Sequence, residues 1–445
     1  TMLPKVTVTA TKTEREVEDT PGTVTVKDRE DMEREIVTDI RDLVRYEPGV
    51  SVANSPNRFG LSGFTIRGVD ANRVLIEIDG VRIPDAFAIG SFSNAGRDLV
   101  DVDLLKRVEI IRGAASSLYG SSAIGGVVSF QTKDPEDYLT DGRTGYIGLK
   151  GGWYGADDGR YGGITAAVGG ENVSFLLGIS HREGHETENR GEIDSEDSTR
   201  TKPNPQEYEV DSALAKAVFT PTEDHRLELA FETGRSKTQT EVFTERRTLP
   251  PPFGAPTQPP TITRVLDLTG DDRQERTRYG AEYTFEPVDT FIDELRVQVY
   301  HQQTETTQDT FEYRETETTA TGAISPQERY REFSFNQDVT GAELLLRKDF
   351  RMGASEHRLI VGGEYIETDI SQMRDGVARH PLTGVVTNVI IPDVFPVRDF
   401  PNATTEETAF FIQDEIALLD GDLSLIPGVR FDRYKLTAHP DAIYE

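Results

Sequence analysis

The sequence predicts an N-terminal α+β unit followed by an antiparallel transmembrane β-barrel. After about Gly142, apolar and polar residues alternate with period two, as across Leu227–Glu232, which is typical of strands with one apolar face. The connections between these segments alternate between tight turns and long polar loops, the arrangement of outer-membrane barrels. No stretch approaches the roughly 18 consecutive apolar residues of a membrane-spanning helix.

Composition excludes several function classes. The 445 residues contain no cysteine, which excludes disulfides, thiolate metal sites and cysteine nucleophiles. The net charge is -30, from 78 acidic and 48 basic residues, and this argues against nucleic-acid binding, which needs basic surface. We interpret the acidity as polar surface, including a hydrated lumen and long outer loops. No signal peptide precedes Thr1, so we expect a mature or trimmed form.

The α+β unit is predicted over residues 13–140, after a polar tail over residues 1–12. Asp28 can cap a helix that runs to about Arg34, and Thr38 or Asp39 can cap a second that reaches Tyr46. The Asp79-Gly80 pair predicts a hairpin turn. Strands are predicted at Thr23–Val26, Phe64–Arg67, Val74–Ile78, Val108–Ile111 and Val127–Phe130.

Residues 141–445 are predicted to hold about eleven barrel strands. Their approximate ranges are 144–153, 160–169, 172–183, 207–219, 225–236, 273–285, 293–304, 333–350, 356–370, 405–419 and 422–438. Long polar connections are predicted over 184–206, 237–272, 305–332 and 371–404. The Thr and Glu residues of 304–319 are compatible with a tall strand extension or with a polar loop.

The odd strand number has a consequence for the barrel. Closed bacterial barrels have even strand numbers, and those with a filled lumen have about 22. We therefore expect half of a 22-stranded barrel: a fragment, an incompletely covered chain, or one half of an assembly that another chain completes.

Several short segments of the first 135 residues carry a family resemblance. They form three blocks: Leu43–Val50; Phe64–Gly68 with Val74–Val81; and Arg107–Gly113 with Ser117–Gly120 and Ala123–Val128. In this order and spacing they resemble the plug domain of TonB-dependent outer-membrane receptors. The resemblance is strong over the plug and weak over the barrel. It implies a multi-pass barrel in the bacterial outer membrane and active transport, with no enzymatic activity.

The resemblance implies a set of motif residues in the plug: Arg67, Gly68, Asp79, Gly80, Arg107, Glu109, Arg112, Gly113, Tyr119 and Gly120. The glycines suit turns that need positive φ or close backbone approach. We expect Arg67, Arg107, Glu109 and Arg112 to make charged contacts between the plug and the barrel wall. Such contacts across a hydrated boundary can hold a plug and still yield when it is pulled.

The N-terminal tail resembles the segment through which these receptors are energised, the TonB box. It comprises Lys5, Val6, Thr7, Val8, Thr9 and Ala10. An extended alternating peptide can add as a strand to the edge of a partner's sheet. The resemblance implies that the partner is TonB, with ExbB and ExbD, in the periplasm.

Within the family, the sequence is most similar to haem and haemoglobin receptors. The similar segments are Arg41–Val52, Asn57–Gly60, Gly96–Asp98, Val102–Glu109 and Thr132–Asp137. This implies haem as the transported ligand, taken from a haemoprotein, with no permanent cofactor. Haem iron takes histidine or tyrosine ligands, yet the first histidine of the chain is His181, so the metal ligands stay unknown. Candidates in or beside outer connections are His185, Tyr208, His301, Tyr313, Tyr330 and His380. The plug tip is expected near Ile83–Arg97, with Arg82, Phe87, Phe92, Asn94 and Arg97 as substrate contacts.

Two other functions remain open from the residues. A ferric siderophore would also suit arginines and aromatics at the plug tip. A surface protein that binds a haemoprotein without transport would keep the outer loops but not need the N-terminal tail. Enzyme motifs such as a Gly-x-Ser-x-Gly elbow or a phosphate loop do not occur in the sequence.

Overall fold

The computed structural model describes residues 5–7, 12–13, 15–20, 22–249, 260–288 and 290–444. The elements of the N-terminal unit, in chain order, are β1 Val6–Thr7, β2 Arg15–Glu16, β3 Thr23–Asp28, α1 Arg29–Arg34, α2 Ile40–Leu43, β4 Val50–Ser55, β5 Gly60–Ile66, β6 Val74–Ile78, β7 Val81–Arg82, β8 Phe87–Ile89, β9 Ser93–Ala95, β10 Leu105–Arg112, α3 Ser116–Tyr119 and β11 Gly126–Thr132. Short 3-10 helices cover Val17–Asp19, Ala71–Arg73, Val102–Leu104, Ser121–Ala123 and Pro135–Asp137.

A five-stranded sheet forms the centre of this unit, in the order β3-β10-β11-β6-β7. Strands β11 and β6 run parallel, whereas β10 is antiparallel to both of its neighbours. The core beside the sheet contains side chains that are at most 1% exposed, among them Leu43, Ile66, Ile76, Ile110 and Phe130. The unit therefore folds around its own hydrophobic core.

The local predictions for this unit are mostly confirmed. Asp28 and Asp39 cap α1 and α2, each accepting a hydrogen bond of 2.9 Å from the backbone three residues later. Helix α2 ends at Leu43 instead of Tyr46, and the chain continues to Glu47 in turns whose backbone N–H groups bond three residues back. The Asp79-Gly80 turn has φ of 47° and 77°, and Ile78 pairs with Val81 across it, as a two-residue hairpin requires.

The second unit is a wall of long antiparallel strands. Its strands are β12 Gly145–Tyr154, β13 Gly159–Gly169, β14 Val173–His185, β15 Gln206–Thr222, β16 His225–Glu241, β17 Thr248–Leu249, β18 Thr261–Phe285, β19 Glu294–Thr318, β20 Ala323–Met352, β21 Ser355–Arg379, β22 Val386–Thr387, β23 Val389–Ile390, β24 Asp393–Val394, β25 Asn402–Leu418, β26 Leu423–Leu425 and β27 Gly428–His439. Two 3-10 helices cover Phe243–Glu245 and Leu419–Gly421.

The long strands pair in the order of the chain, β12-β13-β14-β15-β16-β18-β19-β20-β21-β25. Strands β26 and β27 both pair with β25. Together they form one passage of the chain across the wall, a traverse, which is interrupted at Pro427. The described wall thus has eleven traverses, the number predicted. No helix in the described part of the chain combines the length and the apolar character needed to cross a membrane.

The wall exposes apolar side chains on its outer face and buries polar ones on its inner face, the reverse of a soluble protein. On the outer face, apolar side chains are exposed: Leu149 is 78% and Phe175 51% exposed. On the inner face, polar side chains are buried against the plug: Gln302 is 0% and Thr306 3% exposed. A barrel that meets lipid outside and encloses a polar interior has this pattern.

Several strands are longer than predicted. Strands β19 and β20 pair continuously from Glu294↔Arg347 to Thr318↔Ala323, so the predicted connection 305–332 is a tall hairpin with a tight turn. Strand β18 likewise begins at Thr261, inside the predicted connection 237–272. Residues 305–332 are mostly polar on both faces. In the extension of β18, the apolar Val265 and Leu266 are adjacent and do not alternate with polar residues. Both segments therefore lack the alternation from which strands are recognised in a sequence.

Candidate functional site

The Asp79-Gly80 turn is a centre of contact between plug and wall. Its carboxylate accepts hydrogen bonds from the backbone and hydroxyl of Thr132, at 2.8 and 2.7 Å, and from the guanidinium of Arg278 in β18 at 2.6 Å. Burial alone would raise the pKa of Asp79, but Lys216, Arg278 and Thr132 hold that pKa well below its usual range. The turn therefore presents a fixed negative charge to the wall.

The wall supplies buried cations around this turn. Arg278 is 2% exposed and also pairs with Glu232 at 3.0 Å. The ammonium of Lys216 is 2.6 Å from Asp134 of the plug and 2.9 Å from Glu228 of the wall. Because buried charges are tolerated only when they are paired, these ion pairs tie the plug to one position in the wall.

A row of glutamines on the inner face of the wall binds the plug backbone. Their side-chain amides donate to plug carbonyls at 2.7–3.0 Å: Gln274 to Gly96, Gln298 to Asp79, Gln302 to Arg82, Gln308 to Asn94 and Gln337 to Asp85. Gln308 and Gln337 also accept from the backbone N–H of the same plug residues. Neutral amides satisfy buried backbone groups without burying an ion.

This glutamine row was missed in the sequence. The positions of these glutamines could have indicated them. Gln298, Gln302 and Gln308 are separated by even numbers of residues along β19 and therefore lie on the same face, the one that packs on the plug.

The charged motif residues of β10 do not play the role that we expected. Arg107 donates to Gln131 at 2.7 and 3.0 Å, and Glu109, which is 0% exposed, accepts from Gln131 at 3.1 Å. Arg112 pairs with Glu47. All of these partners lie in the plug, because β10 is flanked on both sides by plug strands. The prediction that these side chains contact the wall is corrected: they stabilise the plug itself.

Arg67 is also engaged within the plug, where it donates to Thr23 at 3.2 Å. The motif glycines Gly68, Gly113 and Gly120 have φ of 81°, 122° and 79°, a conformation that other residues rarely adopt. At Gly120 a Cβ atom would lie 3.3 Å from the wall residue Arg430. The glycine therefore allows the wall to approach the plug backbone closely.

Arg430 uses this approach to bind the plug. It donates to the carbonyl of Leu118 at 2.7 Å and to Glu364 at 2.9 Å. Glu364 in turn pairs with Arg82 of the plug at 3.0 Å. The ammonium of Lys12 lies 4.6 Å from the ring of Tyr119, so this motif tyrosine contacts the start of the chain.

The described part of the N-terminal segment is docked on the plug. Val6 and Thr7 pair with Glu16 and Arg15, and Thr7, which is 0% exposed, donates its hydroxyl to Glu109. Lys5 pairs with Asp28 at 3.4 Å and with Asp31. Val8, Thr9 and Ala10, which complete the predicted TonB box, lie outside the described residues.

The plug tip is the hairpin of β8 and β9. Its turn, residues 88–91, is exposed. Phe87 is stacked on Phe335 of the wall, with ring centroids 5.3 Å apart, and meets the edge of Phe400 at 5.2 Å. Phe92 lies 4.7 Å beneath the guanidinium of Arg331. Both aromatic residues that we expected near the tip, Phe87 and Phe92, lie in this hairpin, and both contact the wall.

The polar residues predicted at the tip have other partners. Asn94 exchanges two hydrogen bonds of 2.7 Å with Gln308 through its backbone, and Arg82 faces Glu364 and Glu407. Arg97 is 4% exposed and donates to the carbonyls of Ala71, Ile83, Val74 and Pro84. The expectation that Arg97 contacts a substrate is wrong in this conformation, because its guanidinium is buried and donates its hydrogen bonds to carbonyls of the plug.

A cluster of arginines faces the plug tip from the wall and was not predicted. Arg314, Arg329 and Arg331 share the inward parity of their strands. Glu312, 2% exposed, pairs with Arg331 at 3.1 Å and with Arg314. This arginine cluster carries more positive than negative charge beside Phe92, which suits an anionic ligand.

The histidines and tyrosines considered as iron ligands are mostly directed away from the lumen. His301 and Tyr330 lie on the outer face, since their neighbours Gln302 and Arg331 point inward. Tyr208 is on the inner face, where its hydroxyl donates to Asp157 at 2.7 Å. The described wall therefore offers Tyr208 as an inward member of this set.

Comparison with known proteins identifies both units. Residues 16–127 match the family model "TonB-dependent Receptor Plug Domain", and residues 219–442 match "TonB dependent receptor-like, beta-barrel". Hemoglobin-binding protein A of Haemophilus influenzae is 34% identical over 307 residues, which cover 65% of this chain and 29% of the relative. Hemoglobin-haptoglobin utilization protein B of Neisseria meningitidis is 32% identical over 296 residues, 57% of this chain and 35% of the relative. The chain thus spans about a third or less of the length of these relatives.

Solved structures share the fold. The hemophore receptor HasR of Serratia marcescens, in complex with its hemophore and heme, gives a TM-score of 0.64 at 20% identity, covering 94% of this chain and 53% of HasR. The ferric citrate transporter FecA gives 0.64 at 20% identity, covering 98% of this chain and 60% of FecA. With a plug sheet, a wall of antiparallel strands and both family models matched, the chain belongs to the TonB-dependent receptors.

Proposed function

We propose that this chain forms the plug and part of the barrel of a receptor that imports haem across the bacterial outer membrane. The observation that carries the proposal is the likeness, over about 300 residues, to proteins named for binding or utilising haemoglobin. In this proposal haem is a transported ligand taken from haemoglobin or another haemoprotein. TonB with ExbB and ExbD supplies energy from the periplasm, and residues 1–12, 13–140 and 141–445 form the coupling tail, the plug and the barrel.

The surface around the plug tip is chemically suited to haem. Haem is a flat apolar ring with two carboxylates, and arginine binds carboxylates with parallel hydrogen bonds. The arginine cluster lies beside Phe92 and the exposed hairpin turn. A porphyrin placed over the turn would have its propionates within reach of this cluster.

The contacts of the N-terminal segment suggest how force reaches the plug. Lys5, Val6 and Thr7 are held by Asp28, Asp31, Arg107 and Glu109, all of which belong to the plug. A pull on the tail would therefore be applied first to β3, at the edge of the plug sheet, and to its neighbour β10. The polar boundary with the wall would be the next set of contacts under load.

A haem titration tests the cargo. Receptor in detergent is titrated with haem while the Soret band is followed, and we expect saturable binding at micromolar haem or below. Arg331→Ala should weaken binding at least about tenfold, the effect of losing one charge-assisted hydrogen bond. The matched control is Arg235→Ala, which removes an exposed arginine from the outer face. Absence of specific binding by wild type, with haem or haemoglobin offered, would remove haem as the cargo.

A ferric siderophore or similar chelate is the second candidate, and the same arginine cluster favours it because such chelates are anionic. Because ferric citrate has no Soret band, its binding is measured by calorimetric titration; binding of ferric citrate without binding of haem would favour the chelate as the cargo. The third candidate is surface capture of a haemoprotein without transport. Deletion of residues 1–12 separates it from import: haem-dependent growth should be lost while surface binding persists, and growth that survives the deletion would contradict TonB-coupled import.

A further inference from the structure

The outer faces of β14 and β15 carry a ladder of histidines and carboxylates. Alternate residues of each strand point the same way, and the register sets three pairs directly opposite one another: His181↔Asp211, Glu183↔Glu209 and His185↔Glu207. Two imidazoles and four carboxylates therefore share one face over three consecutive cross-strand pairs. We call these six residues the His–acid ladder.

Three members of the ladder are already arranged as ligands. One ligand atom from each of His181, Glu209 and Asp211 lies within 4.8 Å of the others. His181 is 2.7 Å from Asp211 through Nδ1, and its Nε2 is 4.0 Å from Glu183. The ladder lies along a surface groove of about 460 Å³, so an ion can enter from solvent.

The charges of the ladder favour a cation between the strands. Glu183 and Glu209 are directly opposite, and like charges in that position destabilise a sheet. Arg160 is the cation beside Glu183, at 3.8 Å. Lys237 is the register partner of Glu209, but its ammonium lies 3.7 Å from Asp271. A bound cation would remove the repulsion that these surface lysine and arginine side chains only partly offset.

We propose that the His–acid ladder binds a zinc-class divalent ion, with His181, Glu209 and Asp211 as its primary ligands. Imidazole together with carboxylate favours Zn²⁺, whereas Ca²⁺ and Mg²⁺ prefer all-oxygen sites. Glu183, whose carboxylate lies 4.0 Å from Nε2 of His181, is the neighbour that completes the coordination. The ion cross-links β14 and β15 where the connection 186–205 leaves the wall, and so fixes the base of that connection. This proposal is independent of the cargo.

Calorimetric titration of the tag-free, EDTA-stripped receptor with ZnCl2 tests the site. We expect one ion per chain, with affinity at least about tenfold lower in His181→Ala and in Asp211→Asn, since even outer-shell partners contribute that much. His301→Ala is the matched control, because His301 is an outward histidine that bonds to Thr340 and lies outside the ladder; it should bind as wild type does. Zinc should also slow hydrogen exchange of residues 186–205.

Two outcomes would overturn the proposal. If His181→Ala and Asp211→Asn bind zinc as wild type does, or if wild type binds none, the ladder is only a set of surface ion pairs. If CaCl2 binds as tightly as ZnCl2 and His181→Ala has no effect, the carboxylates alone hold the cation and the imidazole is not a ligand. Both variants are at exposed positions, and far-ultraviolet circular dichroism checks that the barrel is folded.

Discussion

The interior of the plug and its boundary with the wall are buried to the same degree but differ in chemistry. The interior is apolar, whereas the boundary combines apolar contacts, such as Val127 with Leu345, with many buried polar and charged side chains. Inside the plug, Ile66 and Phe130 are 0% exposed and contact other apolar side chains. At the boundary, Gln302 is 0% and Arg278 2% exposed, and both form hydrogen bonds or ion pairs with the plug. Burial alone therefore does not distinguish the core of the plug from a boundary that would have to open in the proposed import.

The difference in chemistry implies a difference in strength under load. Apolar burial is non-directional and proportional to the area removed from water, so a core resists separation until much of it is exposed. Hydrogen bonds and ion pairs can be exchanged one at a time for bonds to water. We infer that the boundary yields before the core, so that the plug can shift while its sheet stays folded.

Removing apolar volume from the core should have the largest effect. Phe130 is 0% exposed and its ring lies 6.0 Å from that of Phe64. Phe130→Ala leaves a cavity, so the free energy of unfolding of the plug should fall by about 3–5 kcal/mol. Amides of Leu105–Arg112 and Gly126–Thr132 should then exchange with deuterium faster by a factor of about 100 to 4000 in the intact receptor.

The control for this change is Phe130→Leu, which retains most of the volume and should lose much less protection. If Phe130→Ala exchanged like wild type, the plug would be stabilised by the wall and not by its own core.

The next largest effect is expected at the boundary. Arg278→Ala removes the buried guanidinium that joins Asp79 to Glu232. Asp79 keeps Lys216 and Glu232 keeps Arg276, so we expect the loss to cost about 3 kcal/mol, the lower end for a broken buried ion pair. We expect the plug to leave the lumen at lower urea, measured as the onset of conductance in planar bilayers, while exchange within the plug core is unchanged. The control Arg235→Ala removes an exposed pair with Glu275 and should shift the onset little. Equal shifts in the two variants would contradict a role for buried charge at the boundary.

The same contrast explains what could be predicted from the sequence. The wall was predicted because Leu227, Leu229 and Phe231 face lipid and leave a period of two in the sequence. Residues 305–332, the upper part of the hairpin of β19 and β20, were left open between a strand extension and a loop, because both faces of this segment are mostly polar. The plug was predicted from its motif glycines and its apolar strands.

The boundary itself was not predictable in detail. Arg107 and Arg112 were chosen for their charge, but the middle of the plug sheet surrounds them with plug partners. The amides of Gln302 and Gln308 bind backbone carbonyls of the plug. Because every residue has a backbone carbonyl, these contacts do not require particular residue types in the plug and cannot be recognised from its sequence. Only the parity of an inward-facing strand position indicates them.

A glutamine of the boundary should contribute less than a buried ion pair. Gln308→Met keeps the side-chain volume but leaves the N–H and carbonyl of Asn94 without their partner, which costs about 1–2 kcal/mol. We expect faster hydrogen exchange confined to β8 and β9. The control is Gln303→Met, on the exposed face of the same strand. Faster exchange across the whole plug sheet would show that the glutamine row supports the core and not only the boundary.

The smallest effect concerns pH. Burial, together with Asp39 and Asp101, raises the pKa of Asp98 to about 7, although Arg182 opposes the shift. An acid with a raised pKa binds more protons in the folded plug than in the unfolded chain, where its pKa is about 3.9. Plug stability should therefore fall as pH rises from about 4 to 7 and then level off. Asp79, whose pKa is lowered, has the opposite effect: its charged form stabilises the plug. This stabilisation is lost only when the pH falls below about 4.

Between pH 5.5 and 8 the two carboxylates can thus be separated. Asp98→Asn should flatten the pH dependence of the plug's melting temperature in this range, because an amide does not titrate, whereas Asp79→Asn should lower the melting temperature by a similar amount at both pH values. Asp98 is only partly shielded from solvent, so we expect a shift smaller than that of Arg278→Ala. A slope that is the same in Asp98→Asn and wild type would mean that Asp98 is hydrated in the lumen, and that this part of the boundary is already open to water before any pull is applied.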